Sequence, residues 1–334
     1  MAEARPKRRV WRWLGIGALT VVLVVAIAGT ALWIWKPWAP EIVVAEPEPG
    51  GEWVRDDGMV AHWYPAQADT PGPALLVVGG SEGGLNPIII EQATALQQEG
   101  YSVLVKAYFG AEGLPDALEN IPLENFHAGL DWMAGQEEVD PDRIGMFGGS
   151  KGAEAALLVA GQRPDVAAVV ANVPSHVVWQ GLDQQQPWRM GTDPQSSWSQ
   201  DGEPLPYVPT SFEGGFDELT DIYQGAIDQG VPPETHIDIA TIDAPVLITC
   251  GDLDTIWPSC VMAEEIAQAA EPDGPDVTVL DYPDGGHFVQ GPPMDIDPEA
   301  DESGGGTAEA NTAAREDAWP QVLDHLDQAL GLSR

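Results

Sequence analysis

The stretch that decides the fold is residues 143–160, which read RIGMFGGSKGAEAALLVA. Its first five residues are mostly apolar and are typical of a buried strand, and its last eight, rich in alanine and leucine, favour a helix. Between them Gly148-Gly149-Ser150-Lys151-Gly152 fits the pattern G-x-S-x-G. In this context the pattern predicts a sharp turn that presents a nucleophilic serine. We therefore expect Ser150 to be the nucleophile and the Lys151 backbone N–H to donate to an oxyanion.

Strand-like and helix-like segments alternate on both sides of this turn. Continuous apolar strands that alternate with helices predict an α/β fold with a mostly parallel, doubly wound sheet. Residues 52–64 could add a strand or two. The predicted strands are 74–78, 101–106, 143–147, 166–173, 245–249 and 277–280, and the predicted helices are 88–98, 123–134, 153–160, 262–270 and 312–330.

Residues from about 175 to 242 break the alternation. They are rich in proline, glycine, glutamine, tryptophan and aspartate. A long irregular insertion in a compact domain is often a lid or a binding loop. The alternative is a structural excursion that has no role in ligand binding.

A serine nucleophile needs a base and an acid that orients the base. His287 follows the strand 277–280 and sits beside Gly285 and Gly286, so it can reach over the serine. Asp254 follows the strand 245–249 and is the preferred acid, with Asp252 as the alternative. The order serine, acid, histidine is the one found in α/β hydrolases.

A second oxyanion donor is expected in the loop that follows the strand 74–78. This loop reads Gly79-Gly80-Ser81-Glu82-Gly83-Gly84, and its glycines let backbone N–H groups approach a ligand. We name the Ser81 and Glu82 amides as candidates, although Glu82 could instead be a solvated acid. The loop lacks the lysine and the spacing of a phosphate-binding loop.

Neither a metal nor a cofactor is expected, because the histidines and cysteines lack the spacing of metal ligands. Cys250 and Cys260 flank the acid loop. In an exported protein they could form a disulfide that closes this loop. Two buried free thiols are an equally good interpretation.

The N-terminal residues have the pattern of a membrane anchor. Leu14 to Trp35 is an uncharged run of 22 residues, which as a helix would span about 33 Å. We predict a basic cytoplasmic segment at 1–13, a transmembrane helix at 14–35 and a linker at 36–52, with the catalytic domain, 53–334, exported. A signal peptide cleaved after Ala26-Ile27-Ala28 is the alternative. Interfacial tryptophans would flank the run at Trp11, Trp13, Trp33, Trp35 and Trp38.

The net charge of −39 argues against nucleic acid as a partner. Residues 1–38 hold six of the 14 cations and one of the 53 acids, so the rest carries 8 cations against 52 acids, a net of −44. Such a body should repel itself at low salt, and we expect it to work in saline surroundings. Beyond residue 38, Lys106 and Lys151 are its only lysines.

Over residues 74–330 the chain resembles the C-terminal catalytic domain of acyl-CoA thioester hydrolases and bile acid-CoA:amino acid N-acyltransferases. The Ser-Lys-Gly-x-Glu pattern together with Ile-Pro-Leu-Glu is the most specific part of the resemblance. The matching segments are Ala107-Tyr108-Phe109-Gly110, Gly113-Leu114-Pro115, Ile121-Pro122-Leu123-Glu124, Gly149-Ser150-Lys151-Gly152-Ala153-Glu154, Pro174-Ser175, Val178-Trp179, Trp257-Pro258-Ser259, Gly285-Gly286-His287 and Gly305-Gly306-Thr307 through Trp319.

The resemblance implies an α/β-hydrolase fold and a triad of Ser150, Asp254 and His287 that acts on acyl-CoA thioesters. Family members with acyltransferase activity can carry cysteine at the nucleophile position, so serine here favours hydrolysis. Residues 39–70 leave too little room for the β-sandwich domain that precedes the hydrolase domain in eukaryotic relatives.

Three alternatives to the thioesterase stay open: a carboxylesterase or dienelactone-hydrolase-like enzyme, an acyltransferase to an amine, and a binding protein without activity. An anionic CoA head group would have to bind one of the few cations of the body, Lys151 among them.

Overall fold

A computed structural model describes residues 7–56, 58–68, 70–210 and 218–332, leaving out the side chains of residues 7–16, 18 and 19. The chain divides into two compact units, Met1–Glu41 and Ile42–Arg334. Of the predicted basic segment 1–13, residues 1–6 and the side chains of residues 7–13 lie outside the description.

The described residues of the first unit form one helix, α1 (Lys7–Trp35). Within the described ranges no helix combines the length and the apolar composition that crossing a membrane requires. The predicted transmembrane anchor over 14–35 is therefore not supported. The extracytoplasmic location of the catalytic domain stays a prediction.

The second unit is built on an eight-stranded sheet. Its strands run in the order β1-β2-β4-β3-β6-β7-β10-β11. The first two, β1 and β2, pair antiparallel, and the other six are parallel. The strands are β1 (Glu52–Val54), β2 (Val60–Tyr64), β3 (Gly72–Val78), β4 (Ser102–Ala107), β6 (Val139–Gly149), β7 (Val166–Asn172), β10 (Val246–Gly251) and β11 (Val277–Tyr282).

Helices cover both faces of this sheet. Alternate residues of β3 show the division, because Leu76 packs on one face and Leu75 on the other. On the Leu76 side lie α3 (Glu124–Ala134), α4 (Lys151–Ala160) and α7 (Ser259–Ala270); on the Leu75 side lie α2 (Pro87–Gln98) and α9 (Ala308–Leu330). A short helix, α8 (Pro298–Glu302), precedes α9. The carboxyl ends of the parallel strands thus meet at one edge, which is where catalytic residues are expected.

The insertion at about 175–242 forms its own small structure. A three-stranded sheet joins β5 (Ile121–Pro122) to β8 (Trp198–Gln200) and β9 (Glu203–Pro204). The described residues of the insertion also form α5 (Arg189–Thr192), α6 (Leu219–Asp228) and two 3₁₀ turns, Pro233–Thr235 and Ile239–Thr241. Residues 211–217 lie outside the description.

Each strand and helix predicted in the parallel part of the sheet is present with bounds that differ by a few residues. The α/β fold with a mostly parallel central sheet is therefore confirmed. The expected extra strands at 52–64 are β1 and β2.

Candidate active site

Ser150 occupies the sharp turn between β6 and α4. Its backbone has φ 54° and ψ −119°, a region that residues with a Cβ atom rarely adopt. The Ser150 N–H donates to the Asn172 carbonyl at 2.9 Å, which ties the turn to the neighbouring strand. Such strain persists where surrounding structure enforces it, and it is common at functional sites.

Two glycines allow the turn to close. A Cβ atom on Gly148 would lie 2.2 Å from the Gly152 carbonyl oxygen, and one on Gly152 would lie 2.3 Å from the Gly79 carbonyl oxygen. Both neighbours are backbone atoms, which cannot move aside as a flexible side chain can. The G-x-S-x-G pattern therefore reflects close packing of α4 against β6 and the loop after β3.

His287 and Asp254 form a buried pair. His287 Nδ1 and Asp254 Oδ2 are 2.8 Å apart, and each residue is 5% exposed. The other carboxylate oxygen of Asp254 accepts from the Ile256 and Trp257 amides at 2.9 and 3.2 Å. Asp252, the alternative acid, is exposed. The structure thus brings Asp254, and not Asp252, to the histidine.

A glycine segment holds the histidine loop and the acid loop together. The His287 and Thr255 amides both donate to the Gly304 carbonyl, at 2.8 and 3.1 Å. Asn311 Oδ1 in α9 accepts from the Gly286 amide at 2.8 Å. The sequence-based prediction missed Asn311, because a single asparagine in a helical pattern carries no signal of this role.

The three predicted triad residues follow three parallel strands at the same edge of the sheet. Ser150 comes after β6, Asp254 after β10 and His287 after β11, and all three are buried. Among the hydrogen bonds of the described residues, none joins Ser150 to His287. Contacts of this kind are often loose without substrate and tighten when it binds.

The glycine-rich loop after β3 lies beside Ser150. A Cβ atom on Gly80 would come within 3.1 Å of the Ser150 Cβ atom. The Glu82 carboxylate accepts from the Gly80 amide at 3.1 Å and from Asn86 Nδ2 at 3.0 Å. Glu82 therefore structures this loop through its side chain, and the amide donation predicted for Ser81 and Glu82 stays a prediction. The Ser81 carbonyl accepts from Gln184 Nε2 of the insertion at 3.0 Å.

Tyr108 is a second residue that the site prediction missed. Its hydroxyl lies 2.9 and 2.7 Å from the carbonyls of Gly79 and Gly80, and its ring is buried. Burial raises the pKa of Tyr108, so the hydroxyl stays protonated and donates. Tyr108 belongs to the Ala-Tyr-Phe-Gly motif, and this motif is the sequence feature from which its role at the site could have been predicted.

The Lys151 side chain is buried and bonded within the protein. Its Nζ donates to Glu154 Oε2 at 2.9 Å and to Ser197 Oγ at 2.8 Å. The expectation that Lys151 meets an anionic head group is wrong, because the ammonium is enclosed and already paired.

Cys250 and Cys260 are joined in a disulfide. The bond links the end of β10 to the first turn of α7 and so closes the loop that carries Asp254. These two cysteines and Asp281 lie close enough together to hold a metal ion. In the described ranges this is the only such cluster of acidic, histidine or cysteine side chains. Its sulfurs are bonded to each other and are not available as thiolates.

A cavity of about 200 Å³ lies between α4 and the insertion, away from the triad residues. Leu157, Val178 and Ile237 are among its lining residues, whereas Ser150, Asp254 and His287 are not. The cavity is therefore not part of the candidate active site.

The fold is that of an α/β hydrolase. The model of the family described as BAAT / Acyl-CoA thioester hydrolase C terminal matches residues 121–332. The chain belongs to this family.

The curated relatives are consistent with this membership. Acyl-coenzyme A thioesterase 2 of Mus musculus is 26% identical over 83% of this chain and 60% of its own length. Acyl-coenzyme A thioesterase 1 of Rattus norvegicus is also 26% identical, over 83% of this chain and 65% of its own length. An uncharacterised protein of Mycobacterium tuberculosis is 32% identical over 76% of this chain and 84% of its own length. The chain thus spans less than two thirds of the thioesterases it matches.

Solved structures show the same fold. A putative dienelactone hydrolase from Klebsiella pneumoniae has a TM-score of 0.54 at 20% identity, covering 84% of this chain and 98% of that one. A puromycin-hydrolysing peptidase of Mycobacterium tuberculosis has a TM-score of 0.56 at 17% identity. The match covers 86% of this chain and 41% of the peptidase. The predicted class, a hydrolase, is that of the named relatives and of these neighbours.

Proposed function

We propose that the protein is a serine hydrolase that cleaves acyl thioesters such as acyl-CoA, with Ser150, His287 and Asp254 as its triad. The observation that carries the proposal is the buried contact between His287 and Asp254 at the edge of the sheet where the strained Ser150 turn lies. The family and the names of the relatives support the thioester as substrate.

In this mechanism Ser150 Oγ attacks the acyl carbonyl and passes its proton to His287 Nε2. Asp254 accepts the His287 Nδ1–H, which fixes the tautomer and stabilises the imidazolium. The Lys151 amide is in the first turn of α4, where N–H groups have no partner within the helix, and it stabilises the oxyanion. His287 then protonates the leaving thiolate, and water hydrolyses the acyl-serine by the same route.

The test is Ser150→Ala, assayed on acyl-CoAs of several chain lengths and on p-nitrophenyl esters. We expect kcat/KM to fall by several orders of magnitude on every substrate. Ser303→Ala, which changes an exposed serine at the end of α8, is the matched control. A fluorophosphonate probe should label the wild type and the control but not Ser150→Ala. Unchanged hydrolysis by Ser150→Ala would overturn the proposal.

A second candidate substrate, an uncharged oxygen ester, is favoured by the placement of the cations. Both lysines beyond residue 38, Lys106 and Lys151, are buried. Arg189, which is partly exposed, is paired with Glu119 and Asp183. A body of this charge repels an anionic head group, and salt screens that repulsion. The two substrates are separated by kcat/KM on an acyl-CoA and on a neutral ester of the same acyl chain, each measured at low and at molar salt.

A further inference from the structure

The first turn of α4 contains a buried ion pair that the proposed reaction does not use. Lys151 and Glu154 have side chains that are 2% and 0% exposed. The reaction requires only the backbone amide of Lys151. Moving two charges out of water is costly, and a buried pair is often no more stable than a well-packed apolar pair of the same size. The side chains of this pair therefore need an explanation beyond stability.

The pair is bonded to the insertion. Glu154 Oε1 accepts from the Trp179 amide at 3.0 Å and from Trp198 Nε1 at 2.7 Å. Ser197 Oγ, which accepts from Lys151, lies 2.9 Å from the Trp179 carbonyl and 3.1 Å from that of Gln180. Two segments of the insertion, 177–180 and 196–199, thus meet on one ion pair of the nucleophile helix.

Trp198 connects the ion pair to the glycine-rich loop that follows β3. The ring of Trp198 packs against that of Tyr108 with centroids 5.7 Å apart. Tyr108 in turn bonds to the carbonyls of Gly79 and Gly80 beside Ser150. A displacement of Trp198 would therefore reach the loop that faces the nucleophile.

Trp179 is connected to His287 through a series of packed aromatic rings. The Trp179 ring packs against Tyr223 with centroids 4.9 Å apart, and Tyr223 packs against Trp257 at 5.8 Å. The Trp257 ring lies 6.1 Å from that of His287. The ion pair is thus connected to both sides of the site by rigid aromatic side chains.

We propose that Lys151 and Glu154 are a positioning pair, which locks the insertion onto the first turn of the nucleophile helix. This attachment fixes the positions of the glycine loop and of the packed rings of Trp179, Tyr223 and Trp257 relative to Ser150. This role rests on the proposed function in taking Ser150 as the nucleophile. Neither side chain touches the reacting atoms, so both act through the residues that they hold in place.

The experiment compares Glu154→Gln, Lys151→Met and the double variant that carries both changes. Each single variant leaves a charge buried without its partner, which is strongly destabilising, whereas the double variant is neutral. Lys106→Met is the matched control, because Lys106 is also a buried lysine but forms no ion pair among the described residues. The readouts are melting temperature, kcat and KM per fluorophosphonate-labelled site, and amide hydrogen exchange over 177–180 and 196–199.

For the double variant we expect the melting temperature to recover while kcat stays low. Methionine cannot hold Ser197, so the insertion shifts, and a shift of the order of 1 Å at the reacting atoms costs about 100-fold in rate. Amide exchange in both segments should stay faster than in the wild type. Lys106→Met should keep the kcat and the exchange rates of the wild type.

Two results would overturn the proposal without touching the function of Ser150. One is a double variant whose kcat recovers together with its melting temperature, which is the result expected of a pair that only stabilises the fold. The other is unchanged amide exchange over 177–180 and 196–199 in all three variants. If the wild type itself is neither labelled nor active, the proposed function fails, and hydrogen exchange still decides whether the pair locks the insertion.

Discussion

His287 Nδ1 lies 2.8 Å from Asp254 Oδ2, and this contact joins two loops that are 33 residues apart in the sequence. The carboxylate cannot rotate freely, because its other oxygen accepts two backbone N–H groups. The pair therefore has a fixed orientation before any substrate arrives. This preorganisation is what a base that must accept a serine proton requires.

Asp254→Asn should abolish most of the activity and leave the fold intact. An asparagine keeps the shape of the site, and its oxygen can still accept from the Ile256 and Trp257 amides. Its N–H₂ group then faces His287 Nδ1, which must become the acceptor, so the wrong tautomer is favoured. We expect kcat to fall by about 10⁴-fold. Steady-state kinetics on p-nitrophenyl esters, together with the melting temperature, measures both effects.

Asp252→Asn is the control for that variant. Asp252 lies in the same loop, is exposed and donates its amide to the Tyr282 carbonyl at 3.2 Å. Its kcat should match that of the wild type. A large loss in Asp252→Asn with little loss in Asp254→Asn would reverse the assignment of the acid.

Gly148→Ala should destabilise the turn around Ser150. The new methyl group would lie 2.2 Å from the Gly152 carbonyl oxygen, so α4 would have to move away from β6. Overpacking of this kind costs about 1–3 kcal/mol. Urea denaturation gives the free energy of unfolding, and the fluorophosphonate labelling rate reports on the turn itself.

Gly72→Ala provides the comparison, because a Cβ atom there would meet no atom of the described part of the chain within 4 Å. We expect its unfolding free energy to stay within about 0.5 kcal/mol of the wild type. If Gly148→Ala behaved in the same way, the close packing of the turn would be refuted.

His62→Phe should make the protein less sensitive to acid. His62 is fully buried in β2, neither ring nitrogen has a hydrogen-bond partner among the described residues, and burial lowers its pKa to about 4. Glu46 raises this pKa and Arg55 lowers it, both to a smaller extent than burial. The unfolded chain takes up this proton below about pH 6.5. Stability that depends on neutral His62 is therefore complete above pH 6.5 and is lost between pH 6.5 and pH 4.

The measurement is the free energy of unfolding of both proteins at pH 7 and at pH 4.5. The variant should equal the wild type or exceed it at pH 7, because phenylalanine loses no hydrogen bond at this site. It should lose less stability on going to pH 4.5. An equal loss in both proteins would show that His62 does not contribute to acid sensitivity.

The strands and helices of the sheet were predictable because their signals are local. Apolar runs such as 74–78 are visible in the sequence itself, and Gly148 is constrained within its own turn, by the Gly152 carbonyl oxygen. The candidates Ser150, Asp254 and His287 followed from the G-x-S-x-G pattern, from the order serine, acid, histidine and from their places after predicted strands. The chain segments that carry the candidate site could thus be predicted without the structure.

The contacts between distant segments could not be predicted in this way. Nothing in the sequence pairs Glu154 with Trp179 and Trp198, because these contacts depend on how an irregular insertion folds over α4. The partner of Lys151 was missed for the same reason, since a lysine beside a nucleophile looks like a surface cation. The choice between a disulfide and free thiols at Cys250 and Cys260 also required three-dimensional proximity.

Salt should stabilise the protein. Residues 39–334 hold 8 cations against 52 acids, so like charges crowd the surface of the folded chain. Their repulsion falls as the Debye length shrinks from about 10 Å at 0.1 M to about 3 Å at 1 M salt. We expect the melting temperature to rise steeply over this range in either NaCl or KCl and to level off near 1 M. A screening effect should not depend on which of the two cations is used. A melting temperature that is unchanged or lower in molar salt would refute self-repulsion as a limit on stability.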